Sequence, residues 1–127
     1  MPVIWVDHKV VVAIHNEQMA EHGGGSGLRD GGLLQSALFR PLNRAHYDDK
    51  NIPVLAASYG YGLINNHPFV DGNKRTALVV AELFLTLNGY QLNASDEACF
   101  DTFMDLAKGT LSEQHFSGWL EINSEKS

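Results

Sequence analysis

A chain of 127 residues fits a single domain, residues 1–127, and leaves no room for a second core. Apolar types at 44% and charged types at 19% describe a globular chain and exclude a disordered tail, a collagen-like repeat or a coiled-coil rod. Nine Lys and Arg against fifteen Asp and Glu leave a formal charge of −6, so no general basic field exists to collect DNA or RNA, and any anion must be gathered by a local device.

From Asp7 to His22 the residues Val10, Val11, Val12, Ala13, Ile14 and Met19 predict a helix, with Asp7 as its N-cap and Gly23 as its end. Gly23–Gly27 is too short for a domain linker and reads as a flexible connection. Asp30 is placed to cap a short second helix through Phe39, which Pro41 closes. Residues 42–51 are polar and carry Asp48-Asp49-Lys50-Asn51, so they predict an exposed loop or flap, with a small hairpin as the alternative. Pro53 suits the first turn of a third helix running to about Asn65, whose Ala56, Ala57, Ser58, Gly60 and Gly62 let a neighbour approach closely. An interior glycine costs about 1 kcal/mol relative to alanine, and tight packing is the expected offset.

A fourth helix is predicted from Asn73 to the left-handed terminator Asn88-Gly89. Between Ala77 and Leu87 only Glu82 and Thr86 are polar, which puts this helix at the centre of the protein. Ser95 caps a fifth helix with Asp96 and Glu97 in its first turn and Phe100, Phe103, Met104 and Ala107 at helical spacing. Ser112 and Glu113 open a sixth, carrying Phe116, Trp119 and Leu120. No alternating run is long enough for a substantial sheet. The expected class is therefore all-α, a compact bundle of about six helices around a buried central helix. The lone Cys99 allows no internal disulfide, and neither a secretory leader nor eighteen consecutive apolar residues are visible, so the expected compartment is the cytoplasm, with no membrane partner.

The chemistry concentrates in His67-Pro68-Phe69-Val70-Asp71-Gly72-Asn73-Lys74-Arg75, between the third and fourth helices. Pro68 ends the preceding element, and Gly72 permits a turn that brings successive amides toward a ligand. Unpaired N–H groups at a helix start, with an effective charge of about +0.5, attract phosphate, and Lys74 and Arg75 add cations at the same end. Asp71 is a carboxylate able to hold magnesium on phosphate oxygens, and His67 is an imidazole able to take a proton near neutral pH. Phe69 reads as a structural anchor of the loop. Each residue has a plain alternative: solvated cations, a buried hydrogen-bonded histidine, a helix capped by Asp71 and Asn73. Together they favour a site, because two basic residues at a helix N-terminus oppose the dipole unless an anion is bound.

The segment resembles the signature of the Fic/Doc family, His-x-Phe-x-Asp/Glu-Gly/Ala-Asn-Gly/Lys-Arg, at every defined position. The death-on-curing branch is resembled further by Gly27-Leu28-Arg29-Asp30, Gly32-Leu33-Leu34-Gln35-Ser36-Ala37-Leu38, Pro41 and Thr76-Ala77-Leu78. The resemblance spans roughly residues 5–110 and implies a toxin of a toxin–antitoxin pair. On it, His67 activates a hydroxyl of a target protein, Asp71 takes part in magnesium binding, and Gly72, Asn73, Lys74 and Arg75 surround the phosphates of ATP. Family members that transfer AMP usually have glycine where Lys74 stands and a second arginine where this chain has Leu78. Lysine belongs to the Doc type, for which the implied activity is ATP-dependent phosphorylation of a threonine of elongation factor Tu. Gly72, where Doc tends to have alanine, is a mixed feature, and AMP transfer is the runner-up. A non-catalytic anion- or antitoxin-binding module is the third reading. The resemblance implies that residues 42–51 are the flap that aligns a target segment by backbone pairing, with a plain loop as the alternative.

Other signals are weaker. His8, His15 and His22 recur every seven residues, but neighbours lie about 10.5 Å apart along a helix, too far for one ion, so surface or packing roles are expected. Cys99 reads as core, not as a nucleophile. Ser117-x-x-x-Glu121 is similar to the start of the family's built-in inhibitory helix, but Ile122 breaks the pattern, so inhibition by a separate antitoxin is expected.

Overall fold

The computed structural model describes residues 2–25, 27–47 and 50–127. Helix α1 (His8–His22) opens on Asp7, whose side chain accepts the Val10 N–H, and closes at Gly23, which has φ 78° and returns its N–H to the Met19 carbonyl. Asp30 Oδ1 likewise accepts the Leu33 N–H at 3.0 Å at the head of α2 (Gly31–Tyr47).

Pro41 does not end α2: the helix continues through it to Tyr47. A proline here removes the bond to the Ala37 carbonyl, but the buried residues Leu34, Ala37, Pro41 and Ala45 form one stripe that extends past it. Packing of that stripe outweighs the lost bond. Arg40 and Arg44, on either side of Pro41, both reach the Glu113 carboxylate and tie this half of α2 to the sixth helix. Residues 42–47 are therefore helix and not the expected loop or hairpin, Asn51 is the cap of the next helix, and Asp48 and Asp49 lie outside the described residues.

Helix α3 (Ile52–Asn66) starts with the Asn51 side chain accepting the Val54 N–H and with Pro53 in its first turn. Helix α4 (Asn73–Leu87) follows the signature segment. Strand β1 (Tyr90–Leu92) leads to α5 (Asp96–Lys108) and α6 (Glu113–Asn123), capped by Ser95 and Ser112, and the chain ends in β2 (Ser124–Lys126). The two strands pair antiparallel with Gln91 opposite Glu125. Alternation over three residues is too short to read from sequence, so this small sheet was not expected.

The class is the expected one, helices around a buried helix, but that helix is α3 more than α4. It packs against α2, α4, α5 and α6, and ten of its residues from Pro53 to Ile64 are buried. The small residues make this enclosure possible. A Cβ at Gly60 would lie 3.1 Å from the Phe116 ring, and one at Gly62 would lie 3.3 Å from the Ala37 backbone. Helix α4 has α3 on one side and α1 on another, leaving Leu87 exposed at its end. Phe103 and Phe116 are buried edge to face with ring centroids 5.0 Å apart.

The N-terminal segment is pinned by side chains. Asn88 accepts the Ile4 N–H and donates to the Ile4 carbonyl, both at 2.8 Å. The buried Tyr59 hydroxyl accepts the Val6 N–H at 3.0 Å and donates to the Val6 carbonyl at 3.2 Å, and burial pushes its pKa up to about 12. Among the described residues no helix is long and apolar enough to cross a membrane.

Candidate functional site

Helix α3 ends at His67, which has φ 50° and ψ 55° and is the non-glycine residue of the described chain with positive φ. Its N–H still bonds the Leu63 carbonyl at 3.3 Å, and Pro68 then prevents continuation. The chain next pairs with residues 27–30. Leu28 and Phe69 form an antiparallel bridge, the Val70 N–H donates to Gly27 O at 3.1 Å, and the Arg29 and Asp30 N–H groups donate to Pro68 O at 2.7 and 3.0 Å.

Two side chains fix the turn from inside. The Phe69 ring is 1% exposed and stacks on the buried His15 ring at 3.9 Å and 6°. His15 Nε2 lies 2.8 Å from the Asp71 carbonyl, and because a carbonyl only accepts, that nitrogen carries the proton. Asn73 is buried and answers both polar groups of Phe69: its Oδ1 accepts the Phe69 N–H and its Nδ2 donates to the Phe69 carbonyl, each at 3.0 Å. Its side chain is thereby occupied, leaving its backbone N–H for a ligand.

Gly72 is the N-cap of α4 at φ 76°, without a side-chain cap, so the capping role open to Asp71 and Asn73 is not taken up. A Cβ on Gly72 would lie 2.2 Å from Met19 Cε, which shows how closely α1 covers the bend. The first amide of this turn to bond backward is that of Thr76, to Gly72 O at 3.0 Å; those of Asn73, Lys74 and Arg75 have no acceptor among the described residues. Asp71 Oδ1 accepts the Gly72 N–H at 2.7 Å, and Oδ2 takes a long bond from Gly25 at 3.4 Å. No described carboxylate lies within 4.0 Å of the Lys74 or Arg75 head groups.

His67, Asp71, Gly72, Asn73, Lys74 and Arg75 all line one cleft of about 550 Å³. His67, Asp71, Lys74 and Arg75 are exposed there, whereas Pro68 and Phe69 are buried beneath the turn. Much of the remaining lining is apolar, including Leu78 of α4 and Phe100 and Met104 of α5. Phe100 is 55% exposed, unlike its neighbour Phe103 in the core. The cleft thus joins a cationic, amide-rich end to an apolar one, which suits a ligand with an anionic tail and a flat apolar head.

Of the three histidines of α1, His15 supports the turn, His22 lines the cleft and His8 is exposed. Cys99 is buried; burial first, then the charges of Glu82 and Asp96, push its thiol up and disfavour a thiolate. Sequence reasoning missed His15, Met19 and Arg29 as parts of the site. His15 follows the buried Val11 by four residues, the one signal that it faces inward.

A helical protein in which two exposed cations at a helix start, a histidine and a carboxylate line one cleft is the class that these observations define. The chain belongs to the Fic/DOC family, whose model matches residues 5–85. It is 33% identical over 103 residues to the protein kinase doc of Escherichia phage P1, covering 80% of this chain and 81% of that protein. It is 45% identical over 75 residues to toxin Doc of Mycolicibacterium smegmatis (strain ATCC 700084 / mc(2)155), covering 57% of each.

Proposed function

We propose that this chain is the toxin of a toxin–antitoxin pair and transfers the γ-phosphate of ATP to a hydroxyl, a threonine of elongation factor Tu, within the cytoplasm. The observation that carries the reading is the head of α4: three amides and two cations that find no acceptor or carboxylate among the described residues, in the same cleft as an exposed imidazole. Such an arrangement is electrostatically unfavourable until an anion arrives. The family and the two relatives, one named a protein kinase and the other a toxin, point the same way.

In this reading the amides of Asn73, Lys74 and Arg75 and the two side-chain cations hold the phosphates, and Gly72 keeps the backbone close to them. His67 takes the proton of the target hydroxyl. The hydroxyl oxygen bonds to the γ-phosphorus, the bond from that phosphorus to the β,γ-bridging oxygen breaks, and ADP leaves with that electron pair. Asp71 would hold magnesium. It fits as one exposed carboxylate, and since no described group of three His, Cys, Asp or Glu could hold an ion alone, the remaining ligands would be phosphate oxygens and water. Magnesium there would neutralise phosphate charge.

AMP transfer on the same scaffold is the second reading. Leu78 weighs against it: it lines the cleft where AMP-transferring relatives have a second arginine, and a leucine gives the phosphate chain no charge. Inhibition is assigned to a separate antitoxin, since the built-in inhibitory pattern that begins Ser117-x-x-x-Glu121 is broken at Ile122, a residue 84% exposed.

The deciding experiment incubates the purified chain and magnesium with bacterial lysate and ATP labelled on the α or the γ phosphate. Protein label from γ alone is expected. Label from α converts the assignment to AMP transfer, and nucleotide binding with neither label reduces the chain to a binding module. His67→Ala is expected to bind nucleotide and lose transfer.

A further inference from the structure

We infer that Arg29, remote from the signature segment in sequence, is a positioning residue that holds the His67 imidazole in place. The inference rests on the proposed role of His67 as the proton acceptor. Arg29 Nε donates to the His67 carbonyl at 2.8 Å and its Nη2 to the Asn66 carbonyl at 3.1 Å, while the Arg29 backbone N–H takes the Pro68 carbonyl at 2.7 Å. One residue therefore grips three consecutive carbonyls across the point where α3 stops.

The grip sits where the backbone needs it. Asn66 is the last helical residue and His67 is left-handed, so the chain reverses its twist between them. A side-chain-bearing residue in that region is strained and persists only where its surroundings over-determine it. Successive carbonyls on either side of such a reversal converge enough for one planar fork to bond both. Lysine offers a point charge and no fork. The guanidinium also meets the negative end of the α3 dipole, which favours a cation there. Arg29 is exposed, so charge burial contributes little and geometry carries the effect. It is absent from the cleft lining, so loss of Arg29 should leave the phosphate-binding helix start intact.

The test uses the full chain with Arg29→Lys and Arg29→Gln. Transfer is measured at saturating protein substrate as a function of ATP, and amide 15N relaxation is followed at Asn66 and His67. Misplacing a reacting group by about 1 Å costs on the order of 10²-fold. The expected result is a kcat loss approaching that size in both variants, a KM for ATP within about twofold of the parent, and greater fast motion at His67. A residue that merely stabilised the fold would move the melting temperature and leave kcat alone. Parent-like kcat in Arg29→Lys, or His67 relaxation unchanged in both variants, overturns the inference; should Arg29→Gln fail to fold, Arg29→Lys decides. A parent that transfers no phosphoryl group defeats the functional reading instead, and the relaxation data still judge the clamp.

Discussion

Replacing Asn73 with alanine separates the two roles open to a polar residue at this position. Its amide is buried, and both of its polar ends are bonded to the backbone of Phe69, itself buried. Alanine leaves a donor and an acceptor of Phe69 unanswered, each at a cost of about 1–3 kcal/mol, while better helix propensity returns roughly 0.6 kcal/mol. The net loss expected is about 1–5 kcal/mol. For a domain of this size that corresponds to a fall in melting temperature of roughly 10 °C. Aspartate should do no better, since it accepts from the Phe69 N–H but has no donor for the Phe69 carbonyl and adds a buried charge. Urea unfolding followed by circular dichroism gives the stability, and calorimetric titration with ATP and magnesium gives the affinity. If Asn73 instead used its side chain on phosphate, alanine would weaken nucleotide binding and leave unfolding within about 0.5 kcal/mol of the parent. That outcome would refute the assignment made from the Phe69 bonds.

Three further outcomes follow from the geometry. Gly72→Ala places a side chain at φ 76° and against Met19 Cε, so a loss of about 1–2 kcal/mol is expected from the backbone alone; adding Met19→Ala should relieve only the contact, and full recovery in the double variant would show that φ is not the obstacle. Gly62→Ala should destabilise by about 1–3 kcal/mol despite the helix propensity of alanine, because the neighbour 3.3 Å away is the Ala37 backbone, which cannot rotate aside; a stabilised variant in chemical denaturation would contradict the packing of α2 on α3. The Tyr59 phenol has its pKa raised to about 12 against an unfolded value near 10, so its contribution is complete below pH 10 and disappears as the pH rises toward 12. Tyr59→Phe should be less stable at neutral pH, with the Val6 backbone unpaired, and should show a shallower alkaline decline; parallel alkaline limbs would remove Tyr59 as the cause.

Local chemistry was legible where it acts locally. Asp7, Asp30, Ser95 and Ser112 each accept an N–H three residues on, as residue type and position foretold, whereas the Asn51 cap lies in the stretch expected to be loop. Failures came where tertiary packing outweighs a local rule. Pro41 is a helix breaker by its missing N–H, yet the buried stripe of α2 runs through it. The apolar character of α4 predicts it as the centre, but enclosure follows closeness of approach as well as hydropathy. The glycines and alanines of α3, read as permitting contact, in fact let four helices close around it.

The candidate site was legible as a set of residue types but not as a division of labour. Side chains compete for partners, and sequence spacing cannot tell which are already engaged. Within the signature segment Phe69 and Asn73 are buried and spent on the turn, whereas His67, Asp71, Lys74 and Arg75 stay exposed to the cleft. The residues that hold the turn against the body of the protein come from elsewhere: His15 and Met19 from α1, Gly27 and Arg29 from the following segment. Nine consecutive residues thus hold the candidate site while two separated stretches of chain set its geometry. A substitution at His15 or Arg29 should therefore alter the site without touching a ligand, and one at Lys74 should weaken anion binding while leaving the turn as it is.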